Sequence, residues 1–431
     1  MKRWQAAVLA AMTACLLVGC RAAATPGATP TTAATAAPTE APTPTPVPMN
    51  NPLTGGEGDY TGQRPVAVQM QTAESATPFW GVSTADVVVE GVTEGKYATL
   101  MAIYPSADVI SKAGAVGSGR DMMLQFALPL NAVPVHIDKN QYADNLLNTL
   151  AYQDLDGYHI GKAAFAFDLD RKNSGHFEET CWYTTTELIR AGLENYGAST
   201  EGETIRLFQF GERPAPAARN AVELSVTFSD KDTEGLVYSP DTGLYLKNNP
   251  DGSPMVDADS GDQAAFTNVF VLYASSGVKD DKITRQYDLS GGTGLYLNQG
   301  GWQEIRWQKG DATAPLTVTD TAGTTLTVAP GKSYIAIYGG YYSQSLRLVG
   351  EDGAEQALPA KPALMDSGIP DDVAASAQEA YDAQQNYVAE SEAALSAAAS
   401  DSAAAEAAGE SPPAEATPAP EGEVPAETQA Q

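Results

Sequence analysis

Cysteine is almost missing from this 431-residue chain: there are three, and two of them, Cys15 and Cys20, fall within the first twenty residues. Only Cys181 is left for the folded part, so an intramolecular disulfide is excluded. Basic residues are scarce as well. Lys and Arg number 25 against 54 Asp and Glu, a formal charge of −29 at pH 7, which excludes nucleic acid as a partner and excludes binding to anionic lipid by surface charge. The three histidines are far apart in sequence and follow no metal-ligand spacing. There is no Walker loop, no GxSxG elbow and no nucleophile motif with a paired base. The longest early apolar run, Ala6 to Val18, is too short to span a bilayer comfortably.

What that run does fit is an export signal. Lys2 and Arg3 supply the positive start, and the run leads into Leu17-Val18-Gly19-Cys20, a lipobox-like sequence in which a small residue precedes the cysteine that receives lipid. The expectation is a lipoprotein held by acyl chains on Cys20 at the extracytoplasmic face of the cell membrane, since two or more chains make anchoring stable. Cys181 is then expected to be a small buried apolar residue. The neighbouring Glu178 and Glu179 disfavour a thiolate there, which argues against a nucleophile.

Composition divides the rest of the chain. Residues 21–50 are nearly all Ala, Thr and Pro, and such a segment cannot bury enough apolar surface to offset its ordering entropy. It is expected to be a disordered, extended stalk. The body follows, with two domains expected: 51–213, in which strand and helix patterns alternate, and 214–350, in which short strand-like runs are broken by Asn, Asp, Gly and Pro. Strands are expected at 65–70, 86–90, 99–104, 133–136, 163–167 and 204–210. Helices are expected at 121–130, 141–150 and 185–196, the last closed by Gly197. In the second half the clearest strand patterns are 236–239, 244–247, 268–273, 295–297, 302–307, 316–319, 326–328 and 333–338. The tail, 351–431, has no Lys or Arg after Lys361. It is expected to form a weakly docked or undocked helix at about 370–398, its thin face carrying Val373, Ala377, Tyr381, Val388 and Leu395, and then to be disordered.

Within the body, Gly114-Ala115-Val116-Gly117-Ser118-Gly119-Arg120 lies between a strand and a helix start. Glycines there let backbone N–H groups face one point, so Gly117, Ser118, Gly119 and Arg120, with His176 as a further ligand-binding residue, are candidates for anion binding against the plainer reading of a turn. His136 ends a strand, where sites gather. Asp86, Glu90 and Glu94 form an acidic series along one apolar strand, and paired carboxylates are what glycoside hydrolysis needs. His136, Glu90 and Glu94 are therefore the catalytic candidates, with turn and cap roles as the competing reading of the acids. His176 with Glu178 or Glu179, together with His136 and Asp138, has the right residue types for a metal, but no motif supports one and none is expected. Asp257 to Asp262 has the acids of a calcium loop without its glycine or closing glutamate, so a β-turn is expected. No cofactor is expected.

The pieces Asn51-Pro52-Leu53-Thr54-Gly55, Arg64-Pro65-Val66-Ala67-Val68 and Gly81 to Gly95, followed by Tyr238 to Tyr245, Val256-Asp257, Asn268 to Val271, Gly291 to Gly294, Trp307-Gln308-Lys309 and Pro330 to Ile335, occur in the order seen in the YerB-like lipoproteins, a family without an assigned function. The resemblance covers nearly the whole body. It implies an α+β fold, with an N-terminal mixed α/β domain, a mainly-β C-terminal domain and a three-layer sheet/sheet/helix arrangement. It implies no activity. The chain also departs from the family pattern. A two-arginine loop keeps only Arg120, Gln71-Thr72 replaces an Asp-Asn pair, Ala98-Thr99 replaces Thr-Arg, and the segment at His176 has altered neighbours. The leading expectation is thus a non-catalytic lipoprotein binding an envelope ligand or surface protein through a cleft between its domains. The alternative is an envelope hydrolase of wall glycan or peptide using His136, Arg120 and one of the acids.

Overall fold

The computed structural model describes residues 51–407, apart from 214, 215, 217, 341 and 342. The signal, Cys20, the stalk at 21–50 and the tail beyond 407 lie outside the described residues. A ten-stranded sheet forms the middle of the body. Its order is Thr317–Asp320, Gly301–Gln308, Gly291–Asn298, Asn268–Tyr273, Ser333–Tyr338, Val87–Glu94, Tyr97–Tyr104, Val66–Met70, Val133–His136 and Leu155–Asp156. Five of these strands come from each half of the body, and the halves meet where Ser333–Tyr338 pairs in parallel with Val87–Glu94.

The central strands are buried on both faces, which is why they read as nearly continuous apolar runs. Asn268–Tyr273 and Ser333–Tyr338 are buried at every position. Their side chains still alternate: Val269, Val271, Tyr334 and Ala336 enter one core, while Phe270, Leu272, Ile335 and Ile337 enter the other. The first core is closed by a five-stranded antiparallel sheet in the order Ala265–Phe266, Leu244–Asn248, Thr233–Ser239, Glu223–Thr227 and Ser345–Val349. The second is closed by the Asp121–Ala127 helix, through Met122, Met123 and Phe126, and by Leu207 and Phe208. The result is the expected α+β body in three layers. It does not have two separately cored domains, because each core draws on both halves of the chain; a cleft between domains is replaced by a shared sheet.

Several elements differ from expectation for identifiable reasons. The 204–210 and 326–328 segments are not strands. They touch at one parallel bridge, Phe210 to Val328, and spend their apolar side chains covering the second core. The 163–167 run shortens to Ala166–Phe167 after a turn. The Glu223–Thr227 and Ser345–Val349 strands, not anticipated, pair with each other in register. The tail helix runs from Asp371 to Ala407, past its expected end, and its first turns dock. Docking is polar: Gln378 Nε2 donates to the carbonyl oxygens of Lys282 (2.9 Å) and Ile283 (3.0 Å), and Asp382 pairs with Lys96 at 3.7 Å. Val373 and Val388, on the anticipated apolar stripe, stay exposed. Among the described residues no helix is long and apolar enough to cross a membrane.

Candidate functional site

The site begins with an irregularity in the Val87–Glu94 strand. Register against Tyr97–Tyr104 slips between Val92 and Glu94, a bulge of the kind that re-aims a side chain. Glu90 lies on the face that meets the smaller sheet, whereas Glu94 turns toward the start of the Asp121–Ala127 helix. There it accepts from Arg120 Nη2 at 3.0 Å, from Asn140 Nδ2 at 3.1 Å, from Thr284 Oγ1 at 3.4 Å and from the Tyr381 hydroxyl at 3.4 Å. Four segments far apart in sequence therefore converge on one carboxylate. Burial, then the charge of Glu94, raise Tyr381 to about 12, so its phenol stays protonated and donates. Beside this cluster, Lys279 pairs with Asp121 at 2.5 Å and lies over the Tyr142 ring.

The glycine loop serves a different purpose from the one its spacing suggested. The Gly117 N–H donates to the Gln69 carbonyl (2.8 Å), the Gly119 N–H donates to the Asp138 carbonyl (2.9 Å), and the Gly117 carbonyl accepts from Ile137 N (2.9 Å). The loop is threaded between two strand ends, with its glycine N–H groups committed to backbone. A Cβ on Gly117 would lie 2.9 Å from the Gln71 nitrogen, and one on Gly119 3.1 Å from the His136 ring; close approach is what requires glycine. The Arg120 guanidinium is held by Ser118 Oγ, by the Gly119 carbonyl and by Glu94, so its charge is already met. The helix that follows has only seven residues. These facts correct the expectation of an anion cradle at Gly117, Ser118, Gly119 and Arg120.

Next to Gly119 lies a second, drier cluster. His136 is 1% exposed. Its Nδ1 lies 2.8 Å from the Asp138 carbonyl, which marks Nδ1 as the donor, and its Nε2 lies 3.0 Å from Asp154 Oδ2 without hydrogen-bond alignment. Lys139 Nζ reaches Asp156 Oδ2 at 2.8 Å and Asp154 Oδ2 at 3.2 Å. Burial pushes Asp154 and Asp156 up, but His136 and Lys139 outweigh it and hold both below the usual carboxylate range. His136, Asp154 and Asp156 have donor atoms within 4.8 Å of one another, a set compatible in type with a cation. The Lys139 ammonium already supplies positive charge to both carboxylates.

The remaining candidates are elsewhere. Glu90 is 1% exposed and accepts from the Tyr334 hydroxyl (2.6 Å) and from Lys247 Nζ (3.0 Å); Lys247 also bonds Glu234. With Asp232 nearby, three carboxyls share one ammonium between the sheets. Burial, then Glu90, push Glu234 well above the usual range and Asp232 to about 6. His176 binds the Ser75 carbonyl through Nδ1 at 2.6 Å, beside Arg171, which caps the Pro78 and Ala76 carbonyls. Asp86 accepts from Asn51 Nδ2 at 2.7 Å. Cys181 is fully buried, with its thiol pushed up by burial. Asp257 accepts from Gly81 N (3.0 Å), Ser83 N (2.9 Å), Ser83 Oγ (2.8 Å) and Asp259 N (2.9 Å), tying the second half of the chain to the first.

Sequence reading missed Asp154, Asp156, Lys139, Asn140, Thr284 and Tyr381 as participants. Asn140 carried a signal, because it stands before the expected 141–150 helix and caps it by accepting from Ala143 N. Thr284 and Tyr381 carried none, since their roles depend on the second half and the tail folding over Glu94.

Shared sheet, two mixed cores and a polar convergence at one strand end define an α+β protein made of two sequence modules that fold as one body. The chain belongs to the DUF3048, or YerB-like, family. Residues 53–199 match the N-terminal domain and residues 224–335 the C-terminal domain of "Protein of unknown function (DUF3048)", together more than half the chain. A Bacillus subtilis (strain 168) relative, YerB, which is named as a lipoprotein, is 28% identical over 295 residues, covering 67% of this chain and 86% of the relative. The crystal structure of Bacillus subtilis YerB superposes with a TM-score of 0.61 at 24% identity, over 68% of this chain and 98% of that one.

Proposed function

We propose that this protein is anchored by lipid on Cys20 at the extracytoplasmic face of the cell membrane and binds an envelope ligand or surface partner without turning it over. The lipobox-like Leu17 to Cys20 and the lipoprotein description of the relative support the anchor. One observation carries the binding reading: Glu94 and Arg120 keep 15% and 19% side-chain exposure at a junction of four chain segments, whereas His136, the base a hydrolase would use, is sealed at 1%. A general base has to come within hydrogen-bond reach of its substrate. The Glu94 cluster can offer Arg120, Asn140, Thr284 and Tyr381 to a polar group that displaces the internal pair; sealed His136 cannot follow it.

The test uses the full-length protein in detergent micelles with purified wall polymer. Co-sedimentation that weakens about tenfold in Arg120→Ala, with no release of soluble fragments, is expected. Fragment release that is lost in His136→Ala would overturn the reading in favour of a hydrolase.

A further inference from the structure

The Glu94 junction has a cover of separate origin. Arg120, Asn140 and Thr284 reach Glu94 from the body, whereas Tyr381 reaches it from the tail helix Asp371–Ala407. The same turn of that helix lies tight on the strand end: a Cβ on Gly95 would meet the Tyr381 ring at 2.9 Å and Asp382 Oδ1 at 3.2 Å. One turn earlier, Gln378 is buried, its Nε2 donating to the Lys282 and Ile283 carbonyls on the loop that carries Thr284 and its Oε1 lying 3.5 Å from Arg285 Nη2. The helix therefore lies over the junction at which Glu94 and Arg120 keep their exposure.

This cover is attached as a hinged part. None of its described side chains joins either main core. Its contacts are hydrogen bonds and the Asp382–Lys96 pair at 3.7 Å, which exchange with water at modest net cost. The helix carries acidic residues and no Lys or Arg, and it rests on an acidic chain, so charge opposes tight seating. Docking also ends early. Residues 383–388 are exposed, so a helix of 37 residues, about 55 Å at 1.5 Å per residue, is held near its start. Upstream, the chain that delivers it is fixed at Met365, whose N–H donates to the Ser276 carbonyl at 2.7 Å. Between Met365 and Asp371 the chain bonds locally, Gly368 N to Asp366 Oδ1 at 2.9 Å, and it turns at Gly368 with φ 67°. A residue without a side chain leaves that conformation at little cost, which places the hinge there.

We propose that the tail helix is a gate: it turns about Gly368, lifts Tyr381 and Gln378 from the junction, and so admits a ligand to the Glu94–Arg120 pair. The gate rests on the binding reading above, and its test separates the two. In full-length protein in micelles, Lys96→Cys with Asp382→Cys, joined by a bis-maleimide linker that contains a disulfide, locks the helix down; Cys181 is buried, out of reach of the reagent. The locked protein is expected to co-sediment with purified wall polymer at least tenfold less than the same protein after the linker is reduced. Separately, spin labels on Val388→Cys and Lys231→Cys, both exposed positions, report where the helix lies. Adding Gln378→Ala and Asp382→Lys is expected to lengthen and broaden the label distance while the urea unfolding midpoint stays unchanged. Polymer held equally by locked and released protein would overturn the gate and leave the binding reading standing. If no form holds polymer, the binding reading fails and the labels decide the gate alone. An unchanged distance, or a displaced helix with a lowered midpoint, would then overturn it, because the helix would be part of the body.

Discussion

Glu90 and Glu94 stand four residues apart on one strand and behave as different chemical groups. Glu90 is enclosed between two sheets, its partners Lys247 and Tyr334 at least as buried as it is. Glu94, turned by the bulge at Val92, sits at the margin with an arginine, an amide and two hydroxyls around it. Strand position does not decide what a carboxylate does; the layer it faces does. The first arrangement contributes to the fold and excludes ligand, while the second leaves a charge within reach of solvent.

The largest way to break the contrast is Lys247→Met. Removing one partner of a buried ionic cluster leaves carboxyls uncompensated and costs about 3–5 kcal/mol. Urea unfolding of the wild type and variant would show it as a lower midpoint. An unchanged midpoint would mean the cluster is hydrated and unlike its appearance. Asp257→Ala removes a carboxylate that satisfies four donors across the two halves. It is expected to cost about 2–4 kcal/mol by the same unfolding assay.

Asp232 sharpens the comparison through pH. Its folded-state value, raised to about 6 by burial and then by Glu90, exceeds its ordinary 3.8. The native state therefore holds the proton more tightly than the unfolded chain. The stability it lends is full below about pH 4 and is lost as pH rises through about 6, by roughly 2–3 kcal/mol. Asp232→Asn keeps an oxygen for the Ala98 N–H, and the slope of stability against pH between 4 and 6 should flatten. A slope unchanged in the variant would assign that titration to other groups.

At the exposed end the effects on stability are small. Glu94→Gln keeps the side chain's shape but exchanges one of its two accepting oxygens for an NH2 donor and weakens the pair with Arg120 that a ligand has to displace; it should shift stability by about 1 kcal/mol or less, while strengthening wall-polymer binding several-fold. Smallest of all, Tyr381→Phe removes one 3.4 Å contact and should change stability by less than about 0.5 kcal/mol. A large loss there would show that the tail helix contributes to the body rather than resting on it.

Much of this was legible in sequence. The 133–136 and 268–273 strands and the 141–150 helix were readable to the residue because period, caps and flanking breakers agreed. The Gly197 stop is a left-handed C-cap, as the sequence suggested. Glu223–Thr227 was missed although Leu224 and Val226 alternate with polar residues; two apolar positions were too few to notice without the partner strand. The joining of the halves was not legible, because a parallel pair carries no local signal of its neighbour. Nor were the roles of the acids. The series Asp86, Glu90, Glu94 has a regular spacing, and a one-residue slip at Val92 separates its members. Arg120 and Glu94 were each singled out for reactivity, and their meeting could be read only from the fold.

The parallel contact between Val87–Glu94 and Ser333–Tyr338 sets a timetable for the growing chain. Once Tyr97–Tyr104 has paired with it, the Val87–Glu94 strand still presents one bare edge and two apolar faces, and the strand that covers that edge begins only at Ser333. Until then the first half is an open template for pairing with other chains, so a nascent chain interrupted before residue 333 is the form of this protein most in need of a chaperone.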